Sequence, residues 1–327
     1  MNSNDEIRLS ILIPVYGVER YIVACVRSLF AQTLTEGVEF IFVDDASPDA
    51  SIELLEREVA AHPARAAQVH ILHHAHNRGL AAARCTAIEA AHGAWILHVD
   101  SDDILLPEAA AQLLAAANAH PNTDLVFGDY FQSDDPTHAT HNHLVRTPDW
   151  DRKHLLRVLL TQSHRITNRT WGILIRRTLC TEGAIYPVEG INFAEDYAVM
   201  PRLLHAARHV TILHTAVYGY RLASDGSYMK HLDARAAAQY VAANGVVTDY
   251  LKQQSDYEEW RASALLGRLN IEKWLLKRGL DPRDYAPQLF ADNEQAHLPL
   301  HRLYAVAIRS RCTFAARVAG ILANFGA

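Results

Sequence analysis

The stretch LSILIPVYGVERYIVACVRSLFAQTLTEGVEFIFVDD, residues 9–45, reads as strand, helix and strand in one run. Its first segment, LSILIPVY (9–16), is short and rich in β-branched residues, the pattern of a buried strand. VERYIVACVRSLFAQT (18–33) carries Tyr21, Ile22, Cys25 and Leu29 at helical spacing, and VEFIFVDD (38–45) is a second strand. The alternation continues outward. SPDASIELLEREVAAH (47–62) reads as a helix with Ser47 as N-cap and Pro48 at its first position. VHILHH (69–74), AWILHVD (94–100) and TDLVFGDYF (123–131) are further strands, separated by the helices GLAAARCTAIEAAH (79–92) and LPEAAAQLLAAANAH (106–120). Such alternation predicts βαβ units: an α/β fold with a mostly parallel central sheet and helices on both faces.

In sheets of this kind ligands bind at the carboxyl ends of the strands. The second strand ends in Asp44 and Asp45, the fourth in Asp100, Ser101 and Asp102, followed by Asp103, so two acidic clusters are expected at one edge. The D-x-D spacing of Asp100 and Asp102 points both side chains to one side of an extended chain. Carboxylates so placed can hold a hard divalent cation shared with substrate phosphates. The plainer reading is an acidic turn capping the helix at Pro107, with Asp102 or Asp103 as the cap. VDDASPD (43–49) fits an Asx-turn or a carboxylate accepting hydrogen bonds from a ribose or a base. Arg84, in NRGLAAAR (77–84), is either a surface arginine or a nucleotide contact. AED (194–196) adds one more acidic pair.

From 132 to 165 the pattern breaks into a polar, His-rich stretch that reads as an irregular insertion. TWGILIRRTL (170–179) resumes as a strand running into a helix start. FAEDYAVMPRLLHAA (193–207) is helical, with Pro201 kinking it or marking its true first turn. VTILHTAVYGYRL (210–222) is strand-like, and everything after about 226 is helical. The expected division is 1–225 for the α/β domain and 226–327 for a helical region serving acceptor, oligomer or membrane-surface contacts.

A net charge of −6 and a pI near 6.3 argue against general nucleic-acid binding. Cys25, Cys85, Cys180 and Cys312 are scattered, with no C-x-x-C pair, and read as free thiols of a reducing compartment. The opening MNSNDEIRLS is polar and acidic, unlike a signal peptide, and no apolar run reaches the ~18 residues of a membrane span. A cytoplasmic protein, dissolved or attached to a membrane's inner surface, is the expectation. The histidines at 73, 74 and 76 and at 138, 141 and 143 have no companion ligands at a recognised zinc spacing and read as solvated loop residues. The stretch 298–327 has no acidic residue, and Arg302, Arg309, Arg311 and Arg317 interleave with apolar residues as in an interfacial helix. A helix packed on its own domain or on a second subunit explains it nearly as well.

Together, ILIPVYGVERYIVACVRSLFAQT, FIFVDDASPDAS, NRGLAAARCTAIEAAHGAWILHVDSDD and FAEDYAVMPRLL resemble, in order and spacing, the family 2 inverting glycosyltransferases of GT-A fold, over about residues 8–225. The resemblance implies transfer of a sugar from a nucleotide-sugar, usually UDP-linked, to an acceptor hydroxyl in bacterial cell-surface polysaccharide or lipopolysaccharide synthesis. It implies that Pro14, Val15 and Tyr16 line the nucleotide pocket with Glu19 nearby, and that Asp44 and Asp45 contact the uridine. Arg84 would lie against the nucleotide. Asp100 and Asp102 would be the metal-binding D-x-D pair, for Mn²⁺ or Mg²⁺, with Ser101 between them, Asp102 on the metal and Asp100 toward the ribose. Asp196 would be the catalytic base and Glu195 would help place the acceptor. YRLASDGSYMK (220–230) resembles the segment that closes over the diphosphate, which makes Arg221 and Ser227 candidates. Trp171 fits either an acceptor-side aromatic or core packing. Gly17, Ala46, Pro48 and Cys85 depart from the family's usual residues without removing a group the chemistry needs. A nucleotidyltransferase would bring a Gly-rich basic loop after the first strand, which PVYGVERYI lacks. A catalytically silent binding subunit of a glycan-assembly complex is the other alternative.

Overall fold

The computed structural model describes residues 6–137, 143–162, 168–222, 233–280, 284, 299–310, 318–320 and 322–323. The chain forms two compact units. One comprises Met1–Trp150, Arg169–Asn192 and Ala206–Ser227; the other comprises Asp151–Asn168, Phe193–His205 and Tyr228–Ala327.

The first unit is built on a nine-stranded sheet. Strands β1 (Leu9–Val15), β2 (Val38–Asp44), β3 (Val69–His73) and β4 (Trp95–His98) pair in parallel in the order β3-β2-β1-β4. β1, β2 and β4 are buried on both faces, as continuous hydrophobic runs require, while the edge strand β3 is half-buried. Leu9, Ile11, Ile13 and Val15 point into a core shared with Ile22, Cys25, Val26 and Leu29 of α1 (Ile22–Phe30) and Leu113 of α5 (Ala109–Ala119). Among the described residues, the remaining helices of this unit are α2 (Ser51–Ala61), α3 (Pro63–Ala66), α4 (Leu80–Ala90) and α7 (Thr178–Thr181).

The expected α/β fold of mostly parallel strands with C-terminal helices is present, with local departures. β8 (Ile173–Arg176) runs antiparallel between β4 and β6 (Thr123–Ser133), so the fourth and fifth strands are not neighbours. β6 pairs in parallel with β9 (His209–Arg221), and the short β5 (Ile104–Leu105) and β7 (His143–Val145) add antiparallel to β9 and β6. The helix after β2 begins at Ser51, not Pro48. The reason is a local hydrogen-bond competition. Ser47 donates its N–H to Asp44 Oδ1 (2.8 Å) and its hydroxyl to Asp49 Oδ1 (3.0 Å), which holds 44–49 as a turn. The insertion expected at 132–165 is not irregular throughout. It holds β7 and α6 (Arg152–Leu160), whose N-cap Asp151 accepts the His154 N–H at 2.7 Å. Leu155, Leu156, Leu159 and Leu160 are its buried stripe.

At the amino ends of the strands, Ser10 lies opposite Glu39 and donates its hydroxyl to the buried carboxylate at 2.5 Å. The His92 N–H adds a bond of 2.7 Å, and the His92 and His70 rings stand 3.2 Å and 3.5 Å from Glu39 Oε2. Burial raises the Glu39 pKa, but the bonds from Ser10 and His92 outweigh it, leaving the group below its ordinary 4.5. A depressed carboxylate contributes stability that is complete above its unfolded pKa and is lost as the pH falls through the folded value. Thermal unfolding midpoints of the wild type should therefore fall faster than those of Glu39→Gln as the pH drops from about 6 to about 3. Parallel curves would refute the linkage.

The second unit gathers α6 with α8 (Glu195–Ala206, to His205), α9 (Ala234–Lys252), α10 (Tyr257–Lys277) and α11 (Pro299–Arg309). Pro201 sits inside α8, seven residues along, rather than at its first turn. Gly267 of α10 lies against the Leu160 carbonyl of α6, where a β-carbon would overlap the oxygen. α11 packs on α10 through Leu265, Leu266, Leu269, Tyr304 and Ile308. Arg309 closes the contact on the buried Glu272 with a 2.6 Å bond.

Candidate active site

The strand register brings the two acidic clusters to one edge of the first unit. Val15 is opposite Asp44, Asp44 is opposite His73, and Leu12 is opposite His98, two residues before Asp100. Pro14 and Val15 are buried in β1, so Val15 reaches the edge through its backbone: its carbonyl accepts the Asp45 N–H at 3.0 Å. Tyr16, by contrast, is 49% exposed at the strand's end.

Asp45 is buried and its oxygens are engaged by protein. Oδ1 accepts the Arg78 N–H (2.8 Å) and faces His74 Nδ1 (2.6 Å), and Oδ2 accepts the Gly79 N–H (2.7 Å). It anchors the start of α4, whose Ala81 N–H is met by Asn192 Oδ1 at 3.1 Å. Gly79 adopts φ +93°, and a β-carbon there would strike the Asn192 amide, so glycine is required. Asp44 Oδ2 stands 3.0 Å from His73 Nδ1. Glu19 and Asp49 clasp two loops reciprocally: the Glu19 N–H donates to Asp49 Oδ2 (3.0 Å) and Glu19 Oε2 accepts the Ala50 N–H (3.1 Å).

α4 carries Arg84 beneath the second cluster. Its guanidinium side chain is 2% exposed and donates to Asp100 Oδ1 at 2.9 Å, while Asp100 is 26% exposed. An arginine so buried orients Asp100 from behind. Burial and then the Arg84 charge lower the His98 pKa to about 3, so this imidazole adds no second positive charge.

Asp103, buried, is the hub of the D-S-D-D loop. It accepts the Tyr218 hydroxyl (2.8 Å) and the Arg221 N–H (2.7 Å), both from β9. The Tyr218 oxygen in turn accepts the Asp100 N–H at 3.0 Å, and Arg221 Nε donates to the Asp102 carbonyl at 3.0 Å. Burial, then the charges of Asp102 and Asp100, push the Asp103 carboxyl well above the usual range. Arg221 also lies over the Tyr21 ring, 4.8 Å from its centroid. From the sequence, Asp103 is a member of the acidic run or a helix cap, and Tyr218 is a strand residue. The spacing of the acidic run was the only signal for the first, and nothing local pointed to the second.

In the second unit, Glu195 and Asp196 occupy the first turn of α8, where the helix dipole favours carboxylates. Glu195 is buried and Asp196 half-buried. Ala194 just before them adopts φ +63°, and Ala46 in the first unit adopts φ +56°. A left-handed backbone costs a non-glycine residue roughly 1–2 kcal/mol. Glycine would relieve that strain at Ala46. Ser227 lies outside the described residues.

Trp171 is buried, stacked on Tyr218 and Tyr220 with centroids 4.5 Å and 5.0 Å away, so the packing reading holds for it. His73 and His74 are not free loop residues, since each faces a carboxylate and the His74 side chain is only 6% exposed. His143 is exposed in β7, and His138, His141 and Cys312 lie outside the described residues. Among the described residues, no group of three His, Cys, Asp or Glu side chains is arranged to hold a metal ion.

Residues 10–181 match the sequence model of glycosyl transferase family 2. EpsH of Bacillus subtilis (strain 168), described as a glycosyltransferase, is 31% identical over 260 residues, 77% of this chain and 72% of that protein. Among solved structures, S. aureus TarS 1–349 in complex with UDP-GlcNAc aligns with a TM-score of 0.60 at 16% identity, covering 98% of this chain and 92% of that one. The mannosyltransferase PcManGT from Pyrobaculum calidifontis, in complex with GDP-Man and Mn²⁺, aligns at 0.59 with 19% identity, covering 98% and 87%. At such identities the two structures speak for the fold alone. With the family's model spanning more than half of it and EpsH matching along most of it, the chain belongs to glycosyl transferase family 2 and is a glycosyltransferase.

Proposed function

We propose that the protein transfers a sugar, with inversion, from a UDP-sugar to a hydroxyl of a glycan or lipid-linked acceptor, in building a cell-surface polysaccharide or lipopolysaccharide. The observation that carries this reading is the D-S-D-D loop. Arg84 fixes it from below, and Asp103, Tyr218 and Arg221 fix it from β9. A loop so braced carries Asp100 and Asp102 just beyond β4, at the same edge of the sheet as Asp44 and Asp45 at the end of β2. The relatives of like fold that hold UDP-GlcNAc, or GDP-Man with Mn²⁺, favour a nucleotide-sugar donor.

Asp100 and Asp102 supply only oxygen, the donor set of Mg²⁺ or Mn²⁺, and two carboxylates suffice where substrate phosphates complete the shell. They would hold the ion, which when bound offsets the negative charge of the departing diphosphate. The chain's own residues do the rest. Asp45 organises the loop before α4, and Tyr16, Asp44 and Glu19 face the nucleoside end. Arg221 and Ser227 meet the diphosphate. As the bond from the anomeric carbon to the diphosphate oxygen breaks, its electron pair leaves with UDP. The acceptor oxygen forms the new bond from the opposite face, and its proton passes to Asp196. Glu195 places the acceptor, whose choice rests with 132–165 and the helical region.

Calorimetric titration of UDP, with Mn²⁺ and then with EDTA, tests the donor side. Binding that needs the metal and weakens at least about a hundredfold in Asp102→Ala supports the assignment. Metal-independent binding removes Asp102 from its role. If UDP fails with and without metal, and GDP and dTDP fail too, the UDP-sugar assignment falls and the non-catalytic reading is favoured.

A further inference from the structure

We propose that the outer face of α11 docks the chain on an anionic bilayer surface. α11 is apolar on two sides. Tyr304, Ala305, Ala307 and Ile308 face α10. Leu300, Leu303 and Val306, three residues apart, form a second stripe on the outside, with Leu303 53% and Val306 66% exposed. Val318 and Leu322 are exposed as well. Single exposed aliphatic residues are ordinary. An aligned stripe on a helix whose other face is already packed is not, because a helix that served only its own unit would be polar outside.

Charge selects the occupant. Arg302 is exposed beside Leu303, while Arg309 is turned inward onto Glu272, and residues 298–327 contain no acidic residue in a chain of net charge −6. Two copies meeting through this face would set arginine against arginine with no carboxylate of the stretch to pair. A layer of anionic headgroups supplies the opposite charge and, beneath it, an apolar zone reached at about 5–10 Å depth. No helix among the described residues is long and apolar enough to cross a membrane, so the contact is with the surface.

The test is co-sedimentation of the full chain with vesicles of phosphatidylcholine alone and of phosphatidylcholine mixed with phosphatidylglycerol. It needs neither donor nor acceptor, so its outcome is independent of the proposed transfer reaction. Sedimentation with the mixed vesicles is expected, suppressed by salt and weak with the neutral ones. Leu303→Asp combined with Val306→Asp should lower it at least about tenfold while UDP binding and thermal unfolding stay as in the wild type. Arg302→Glu should weaken the preference for anionic lipid without touching the apolar stripe. A wild type that stays in the supernatant overturns the proposal, and equal sedimentation with both vesicles overturns its charge argument. A lipid-free dimer that the double variant dissolves would make the face a contact between copies instead.

Discussion

Asp196→Asn lowers the turnover of sugar transfer about a thousandfold and leaves the affinity for UDP within about twofold of the wild type. Asparagine keeps the shape of the side chain and one accepting oxygen but cannot take up the acceptor's proton, and general-base assistance is typically worth 10²–10⁴ in rate. The side chain sits in the first turn of α8, where losing one negative charge costs about 0.3–1 kcal/mol of helix stability, too little to unfold the unit. Release of UDP from a UDP-sugar, followed with and without acceptor, separates transfer from background hydrolysis. A variant that transfers sugar at the wild-type rate would move the base to another residue.

Gly267→Ala destabilises the helical unit by about 2–3 kcal/mol. The new methyl would overlap the Leu160 carbonyl oxygen at the crossing of α6 and α10. A backbone carbonyl in the last turn of a helix has no rotamer to retreat into, so one helix must shift and open its packing against the other. The roughly 1 kcal/mol by which alanine exceeds glycine in helix propensity offsets part of this and does not reverse it. A fall in the unfolding midpoint of roughly 5 °C is expected, with UDP binding by the other unit retained. An unchanged midpoint would mean that the two helices lie further apart than described.

Much of this fold was legible because its strands are continuous apolar runs and its first helices follow them at short, regular intervals. The acidic edge was legible for the same reason: once β1, β2 and β4 are parallel, Asp44 and Asp100 must emerge together. What escaped depended on partners distant in sequence. Asp103 looks like a helix cap until Tyr218 and Arg221, more than a hundred residues later, are placed on it. Asp45 reads from the sequence as a nucleotide contact alone, and its structural task, holding His74, Arg78 and Gly79 in place, shows only in the fold. α6 was hidden by the polar residues around it, although its cap Asp151 and its leucine spacing were in plain view.

The antiparallel insertion of β8 bears on how the protein is made. On the ribosome, β4 can join β1 as soon as both have emerged, but its other edge waits for residues 173–176, roughly 75 residues later, or about 4–15 s of elongation. During that interval the nascent chain presents Trp95–His98 as an open strand edge on an otherwise finished half-sheet. Slowing translation ahead of Ile173 would prolong this exposure, so aggregation during synthesis should be more sensitive to delays between β4 and β8 than to delays in the helical unit that follows.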